Sequence, residues 1–283
     1  MRSATTNTAW IDAENRLIRA GDTTFAYREL GRPGDVPLVL LNHWGAVLDN
    51  FDPRLMDGLA SSHHVVAIDY RGIGASGSTA PVTVDAMAVD TIALIRALGF
   101  AQVDLLGFSL GGFVAQDVAL KAPGLVRKLI LTGTGPAGGN GIERVGAVSW
   151  PLILKGLLTL RDPKTYLFFT RTANGSAAAK AFLGRLKERT GDRDRGPTPR
   201  AFLRQLAAIE AWGRQTPQDL DRLRMPVLIA NGDNDLMVPT ALSRDMARRI
   251  PDARLVIYDD AGHGAIFQYH DDFVKRALAF LAA

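Results

Sequence analysis

The stretch Val103–Gln116, VDLLGFSLGGFVAQ, sets one serine, Ser109, among Gly107, Gly111 and Gly112. An apolar run leads in and a helix-like pattern leads out, so the serine falls at a strand-to-helix junction. The pentapeptide Gly107–Gly111 reads G-x-S-x-G. In that context it describes a sharp turn that strains the serine backbone and projects its hydroxyl from the carboxyl edge of a sheet. Gly107 and Gly111 are then needed because side chains there would collide across the turn, and Gly112 lets the helix pack close to a strand. The bland alternative is a serine that caps a helix in a glycine-rich turn. What separates the two is whether the chain supplies a base.

A serine hydroxyl becomes a useful nucleophile only when a base removes its proton. The chain has five histidines. His63 and His64 open an apolar run and read as structural, and His270 stands at the start of the last helical pattern, where a surface or capping role fits. His263 differs: it lies in YDDAGHGAIF, directly after the last strand-like run, between two glycines. It is the expected base. The carboxylate that orients such an imidazole is expected in LIANGDNDLMVP, after another strand-like run. Asp235 is assigned that role, and Asp233 the shaping of the turn by an Asx-type hydrogen bond. The corresponding place after KLILTG holds Gly133, Thr134 and Gly135, so no acid is available there.

Acyl transfer also needs two donors for the developing oxyanion. The backbone N–H of Leu110, at the start of the helix, is one. The other is expected from the loop NHWGAVLDNFDP, through the backbone N–H of Trp44. The Trp44 indole and His43 are expected near the pocket mouth, or His43 simply holds the loop by a local hydrogen bond.

Outward from these motifs, apolar strand-like runs alternate with helical patterns, the mark of a mostly parallel sheet covered by helices. After a hairpin pattern in RLIRAGDTTFAYREL, the runs are VPLVLLN, HHVVAID, QVDLLGF, RKLILTG, MPVLIANG and ARLVIYDD. Their continuous apolar character suits strands buried on both faces. TVDAMAVDTIALIRALG is helical in period and stops at Gly99. The alternation breaks between Ile142 and Arg214, where every segment is helix-like. The expected organisation is a core of residues 1–135 and 218–283 with a helical cap inserted at 136–217. The cap's flanks, GPAGGNG and RQTPQDL, are hinge-like, Pro163 and Pro199 sit where helices can begin, and RTGDRDRGPTPR is a charged interhelical loop.

With 47% hydrophobic and 22% charged residues, the composition is that of an ordinary globular protein. No apolar run of about 18 residues predicts a membrane span. The polar start, MRSATTNTAWIDAENRLIRAG, lacks the apolar region of a secretory signal, so cytoplasmic residence is expected. There is no cysteine, which excludes a thiol nucleophile, a thiolate metal site and disulfides. Residues 136–217 hold 14 Lys/Arg against 6 Asp/Glu, while the rest of the chain holds 19 against 23. These arginines are scattered among Leu, Phe and Ala without a nucleic-acid motif, and read as a solvated helical face.

The combined pattern resembles the α/β-hydrolase superfamily, specifically its cap-bearing serine hydrolases, from about Arg16 onward. The order Ser109, Asp235, His263 is the order of that family's triad, and DYRGIGAS (Asp69–Ser76) is similar to its Asp-x-Arg-Gly-x-Gly-x-Ser turn. The resemblance implies an α/β fold with an eight-stranded, mostly parallel sheet, helices on both faces, a helical cap and no cofactor. Many relatives carry His-Gly in the oxyanion loop, where this chain has Asn42-His43-Trp44-Gly45, closer to the Asn-Ser-Leu-Gly loop of enol-lactone hydrolases. A serine nucleophile argues against haloalkane dehalogenases and epoxide hydrolases, which use an aspartate. The His-Gly-Gly-Pro loop and elbow Trp of proline iminopeptidases are missing. Cofactor-free haloperoxidases (perhydrolases) share the Gly-Phe-Ser-x-Gly-Gly elbow, and carbon–carbon bond hydrolases share the triad. The expected activity is hydrolysis of a small-molecule carboxylic ester or lactone, with no nucleic-acid or membrane partner. A non-catalytic ligand-binding protein of the same fold is the reading from another class.

Overall fold

Every strand-like run of the sequence joins a single sheet in the computed structural model, which describes residues 8–34 and 36–283. The first residues of the polar start, 1–7, lie outside the described residues. The strands are β1 (Arg16–Ala20), β2 (Thr23–Leu30), β3 (Leu38–Leu41), β4 (Val65–Ile68), β5 (Val103–Phe108), β6 (Val126–Thr132), β7 (Val227–Gly232) and β8 (Ala253–Tyr258), in the spatial order β1-β2-β4-β3-β5-β6-β7-β8. β2 runs against both its neighbours, and all other adjacent pairs except β1–β2 and β2–β4 are parallel. The eight-stranded, mostly parallel sheet is therefore as the sequence predicts. β3, β4, β5 and β7 are buried at every position, the condition for helices on both faces. β8 departs from that expectation: it is the sheet edge, and most of its residues are partly exposed.

The helices are α1 (Pro53–Ala60), α2 (Val84–Ala97), α3 (Leu110–Lys121), α4 (Val145–Leu158), α5 (Lys164–Leu167), α6 (Ala173–Arg185), α7 (Pro199–Arg214), α8 (Thr240–Arg249), α9 (Ala265–Gln268) and α10 (His270–Ala282). Their ends follow local chemistry. The Thr83 side chain accepts from the Ala86 N–H at the start of α2, and Gly99 leaves the helix at φ +85°. α7 opens with Thr198 as cap and Pro199 in its first turn. α3 is buried from Leu110 to Ala119 and apolar there except at Gln116 and Asp117, as befits a helix enclosed by the core rather than lying on it.

Between β6 and β7 the chain forms α4 to α7 and no strand. The two flanks of this segment meet: the Gly138 N–H donates to the Trp212 carbonyl, and a side chain at Gly138 would come within 2.5 Å of the Gln215 carbonyl oxygen. The outer face of α4 and the turn after it is apolar and exposed at Trp150, Leu154, Leu157, Leu158 and Leu160.

The basic residues of this segment are less solvated than their sequence suggests. Arg185 grips Asp52 with three hydrogen bonds (2.8, 3.1 and 2.6 Å), and Asp52 itself caps α1. Arg28, fully buried on β2, donates to Asp49 (2.6 Å) and to Asp194 (2.7 Å). The Asp194 N–H donates to the other Asp49 oxygen, and Arg189, also buried, donates to the carbonyls of Ile11 and Ala13. The loop after α6 is thus fastened to the sheet through buried charges. Removing one partner strands the others in a low-dielectric interior, at a cost of about 3–5 kcal/mol. Arg28→Ala is expected to lower unfolding stability by that order, as read by urea titration. A loss under about 1 kcal/mol would mean the cluster is solvated and weak.

Candidate active site

Ser109 has φ +58° and ψ −118°, a conformation that side-chain-bearing residues rarely adopt. Its N–H donates to the Thr132 carbonyl, and its carbonyl accepts from the Thr134 hydroxyl (3.0 Å), so β6 holds the turn from one side. The glycines explain how such a turn fits. A Cβ on Gly107 would lie 2.3 Å from the Gly111 carbonyl oxygen, across the turn as expected. At Gly111 the obstacle is different: a Cβ would lie 2.1 Å from the Leu41 carbonyl oxygen at the end of β3. At Gly112 it would lie 2.5 Å from the Thr134 side chain, in the loop after β6. Close helix–strand approach is therefore made at Gly111, against β3, and at Gly112, whose Cα would lie 2.6 Å from a Cβ on Gly107 of β5.

The structure brings Ser109, His263 and Asp235 together. His263 Nε2 lies 2.9 Å from Ser109 Oγ, and His263 Nδ1 lies 2.8 Å from Asp235 Oδ2. A carboxylate only accepts, so Nδ1 carries the hydrogen and Nε2 presents a lone pair to the serine hydroxyl. The other Asp235 oxygen accepts from the N–H groups of Met237 and Val238, both at 2.9 Å. The Asx-type turn expected of Asp233 is thus made by Asp235. Asp233 instead reaches the histidine loop, where its carboxylate accepts from the Ala261 N–H (3.1 Å).

That loop is shaped by the segment after β6. Side chains at Gly262 and Gly264 would clash with Phe168, whose carbonyl accepts from the Gly264 N–H (2.8 Å). Asp260 accepts hydrogen bonds from Thr170, Thr172 and Asn174, with Thr172 foremost, and these hold its carboxyl below the ordinary range. The His263 ring packs against Phe108 and Phe168, at centroid distances of 5.0 and 5.4 Å. Sequence reasoning missed Phe168 as a partner of the base; the two glycines beside His263 were its signal.

Leu110 is the first residue of α3, so its N–H points ahead of the intrahelical ladder. Trp44 follows the end of β3 in a loop braced by Asn42, whose side chain accepts from the His43 N–H and donates to the Val47 carbonyl. Tyr70, from the DYRGIGAS turn, donates to the Asn42 carbonyl (3.2 Å). The Trp44 indole donates to the Phe202 carbonyl (2.8 Å) and stacks on the Phe202 ring, and the Gly45 N–H donates to the buried Gln205 (2.9 Å). The loop is therefore clamped by α7. His43 makes the local hydrogen bond expected as one of its roles: its Nδ1 donates to the Trp44 carbonyl (2.8 Å). Of the remaining histidines, His64 pairs with Glu29 and His270 with Asp271. Among the described residues, no cluster of three or more His, Asp or Glu has the arrangement of a metal site, and no helix is long and apolar enough to cross a membrane.

A sequence model described as the alpha/beta hydrolase fold matches residues 36–268. The chain belongs to the alpha/beta hydrolase fold family. An alpha/beta hydrolase fold protein from Chitinophaga pinensis shares 36% identity and a TM-score of 0.92, covering 97% of this chain and 99% of that one. Pimeloyl-[acyl-carrier protein] methyl ester esterase of Aliivibrio salmonicida (strain LFI1238) is 29% identical over 249 residues, or 86% of this chain and 91% of that protein. The enol-lactonase from Burkholderia xenovorans LB400 shares the fold, with 22% identity, a TM-score of 0.73 and coverage of 95% and 100%. The chain is thus a member of a hydrolase family.

Burial pushes the His43 imidazole down to about 3, and the charges of Lys164 and His263 act in the same direction, against the Trp44 hydrogen bond. Its folded-state value lies below the unfolded one, about 6.5. The unfolded chain therefore takes up this proton first, and the associated stability, complete above pH 6.5, is lost as pH falls toward 3. His43→Asn is expected to unfold with a shallower loss of stability than wild type across that window, measured by urea titration at several pH values. Parallel pH profiles would mean that His43 charges freely in the folded protein.

Proposed function

We propose that the protein is a serine hydrolase that cleaves a carboxylic ester or lactone through an acyl-enzyme on Ser109. The observation that carries this reading is the line of hydrogen bonds from Ser109 through His263 to Asp235 at a strained elbow. Ser109 Oγ attacks the carbonyl carbon while His263 Nε2 takes its proton, and the Asp235 carboxylate stabilises the imidazolium. The backbone N–H groups of Leu110 and Trp44 hold the oxyanion. His263 then protonates the leaving alkoxide as the C–O bond breaks. A water activated by the same nitrogen attacks the acyl-enzyme, and collapse releases the acid and regenerates Ser109.

Residues 136–217 serve as the cap in this reading. Ser109 is only 5% exposed and His263 1%, so a substrate enters when Phe168 and its neighbours shift. The esterase and enol-lactonase names among the relatives support an ester-type substrate. The reading requires no cofactor, nucleic acid or membrane. Carbon–carbon bond hydrolysis and perhydrolysis would use the same three residues, and no contact favours either.

A serine-directed fluorophosphonate is expected to add once to the wild-type protein and not to Ser109→Ala, as read by intact mass. On a panel of small esters and lactones, Ser109→Ala and His263→Ala should each lower kcat/KM by about 10⁴-fold or more. A folded wild type that takes no adduct and turns over no member of the panel would be a ligand-binding protein instead.

A further inference from the structure

His43 takes no part in the steps above, yet it shares their surroundings. Its ring meets Phe108 and Phe168 edge-on, at 5.5 and 5.1 Å between centroids, and the same two rings pack on His263. The two imidazoles therefore belong to one aromatic wall. Because Nδ1 is committed as a donor to the Trp44 carbonyl, the second nitrogen, Nε2, is left as an acceptor. It is buried, and no donor reaches it among the described residues. The donors of neighbouring groups are engaged: the Ser109 hydroxyl on His263, the Trp44 indole on Phe202, the Gly45 N–H on Gln205. A buried acceptor without a donor is costly, whereas an apolar ring of similar shape would carry no such penalty.

We propose that His43 Nε2 accepts a hydrogen bond from a substrate hydroxyl, so that the enzyme selects hydroxy-substituted esters or lactones over their deoxy counterparts. The inference rests on the ester-hydrolase reading of Ser109 and deepens it by naming a substrate class. His43 acts here as a specificity residue and not as a second base. Its fixed tautomer suits the role, since a site built to pair with a substrate hydroxyl rejects the analogue that lacks it and leaves the acceptor unpaired.

The test compares kcat/KM within matched pairs: methyl 2-hydroxybutyrate and methyl 3-hydroxybutyrate, each against methyl butyrate, and 2-hydroxyethyl butyrate against ethyl butyrate. Wild type is expected to prefer the hydroxylated partner by about tenfold in at least one pair. His43→Asn keeps an amide donor where Nδ1 stood and removes the acceptor at the Nε2 position. It should bring that ratio below twofold. His43→Gln, which can return an oxygen to the Nε2 position, should recover part of it. Pairs that wild type does not separate by more than twofold overturn the inference while leaving the hydrolase intact. So does an equal loss on both partners in His43→Asn, which would make His43 only a brace of the loop or the holder of a water. Failure of wild type to cleave any ester overturns the hydrolase reading and this inference with it.

Discussion

The backbone of Ser109, held at positive φ where β5 becomes α3, is the constraint on which the rest depends. Such a conformation costs free energy, of order 1–3 kcal/mol, and persists only where the surroundings fix it. Here they do so by crowding. Gly107, Gly111 and Gly112 each face backbone or side-chain atoms within 2.5 Å of where a Cβ would stand. Gly111 has the wider consequence. By letting α3 touch the Leu41 carbonyl, it sets the first turn of the helix against the end of β3, from which the Asn42–Gly45 loop departs. In the proposed mechanism the amides of Leu110 and Trp44, far apart in sequence, serve one oxyanion, and Gly111 is the residue that lets their two segments meet.

The helical segment between β6 and β7 is part of this construction. Phe168 fills the space left by Gly262 and Gly264 and accepts a hydrogen bond from the histidine loop. α7 holds the Asn42–Gly45 loop at two points, through the Phe202 carbonyl and the Gln205 side chain. If this segment is the cap that we propose, a shift of Phe168 would loosen the loop that carries His263, and a shift of α7 the loop that carries Trp44. Under that proposal, closure over a bound substrate would restore the contacts that had opened and exclude water in the same step.

The strands and the approach of Ser109, Asp235 and His263 were legible because they rest on local signals: apolar runs, and polar residues placed directly after them. The parallel order of β5, β6, β7 and β8 then brings those strand ends to one edge. Contacts between distant segments left weaker traces. The charged loop 189–200 reads as solvated because its carboxylate partner, Asp49, lies 145 residues from Asp194. Arg185 likewise finds Asp52 across 133 residues. Asp233 and Asp235 have the same charge and nearly the same place, and only the position of Ala261 separates the brace from the partner of His263. Gly262 and Gly264 did carry information about Phe168, but a glycine reports that space is needed and not what fills it.

His43 and His263 show how one side chain receives opposite tasks from its Nδ1 partner. Both rings sit against Phe108 and Phe168, and in both the Nδ1–H is donated, leaving Nε2 as an acceptor. The partner of His263 is a carboxylate, which favours positive charge when a proton arrives at Nε2. The partner of His43 is a carbonyl, which carries no net charge and leaves burial to decide, and burial keeps that ring neutral. The first arrangement suits the gain and release of a proton that we propose for His263. The second suits the acceptor role that we propose for His43, so two chemically identical residues against the same phenylalanines need not compete for one proton.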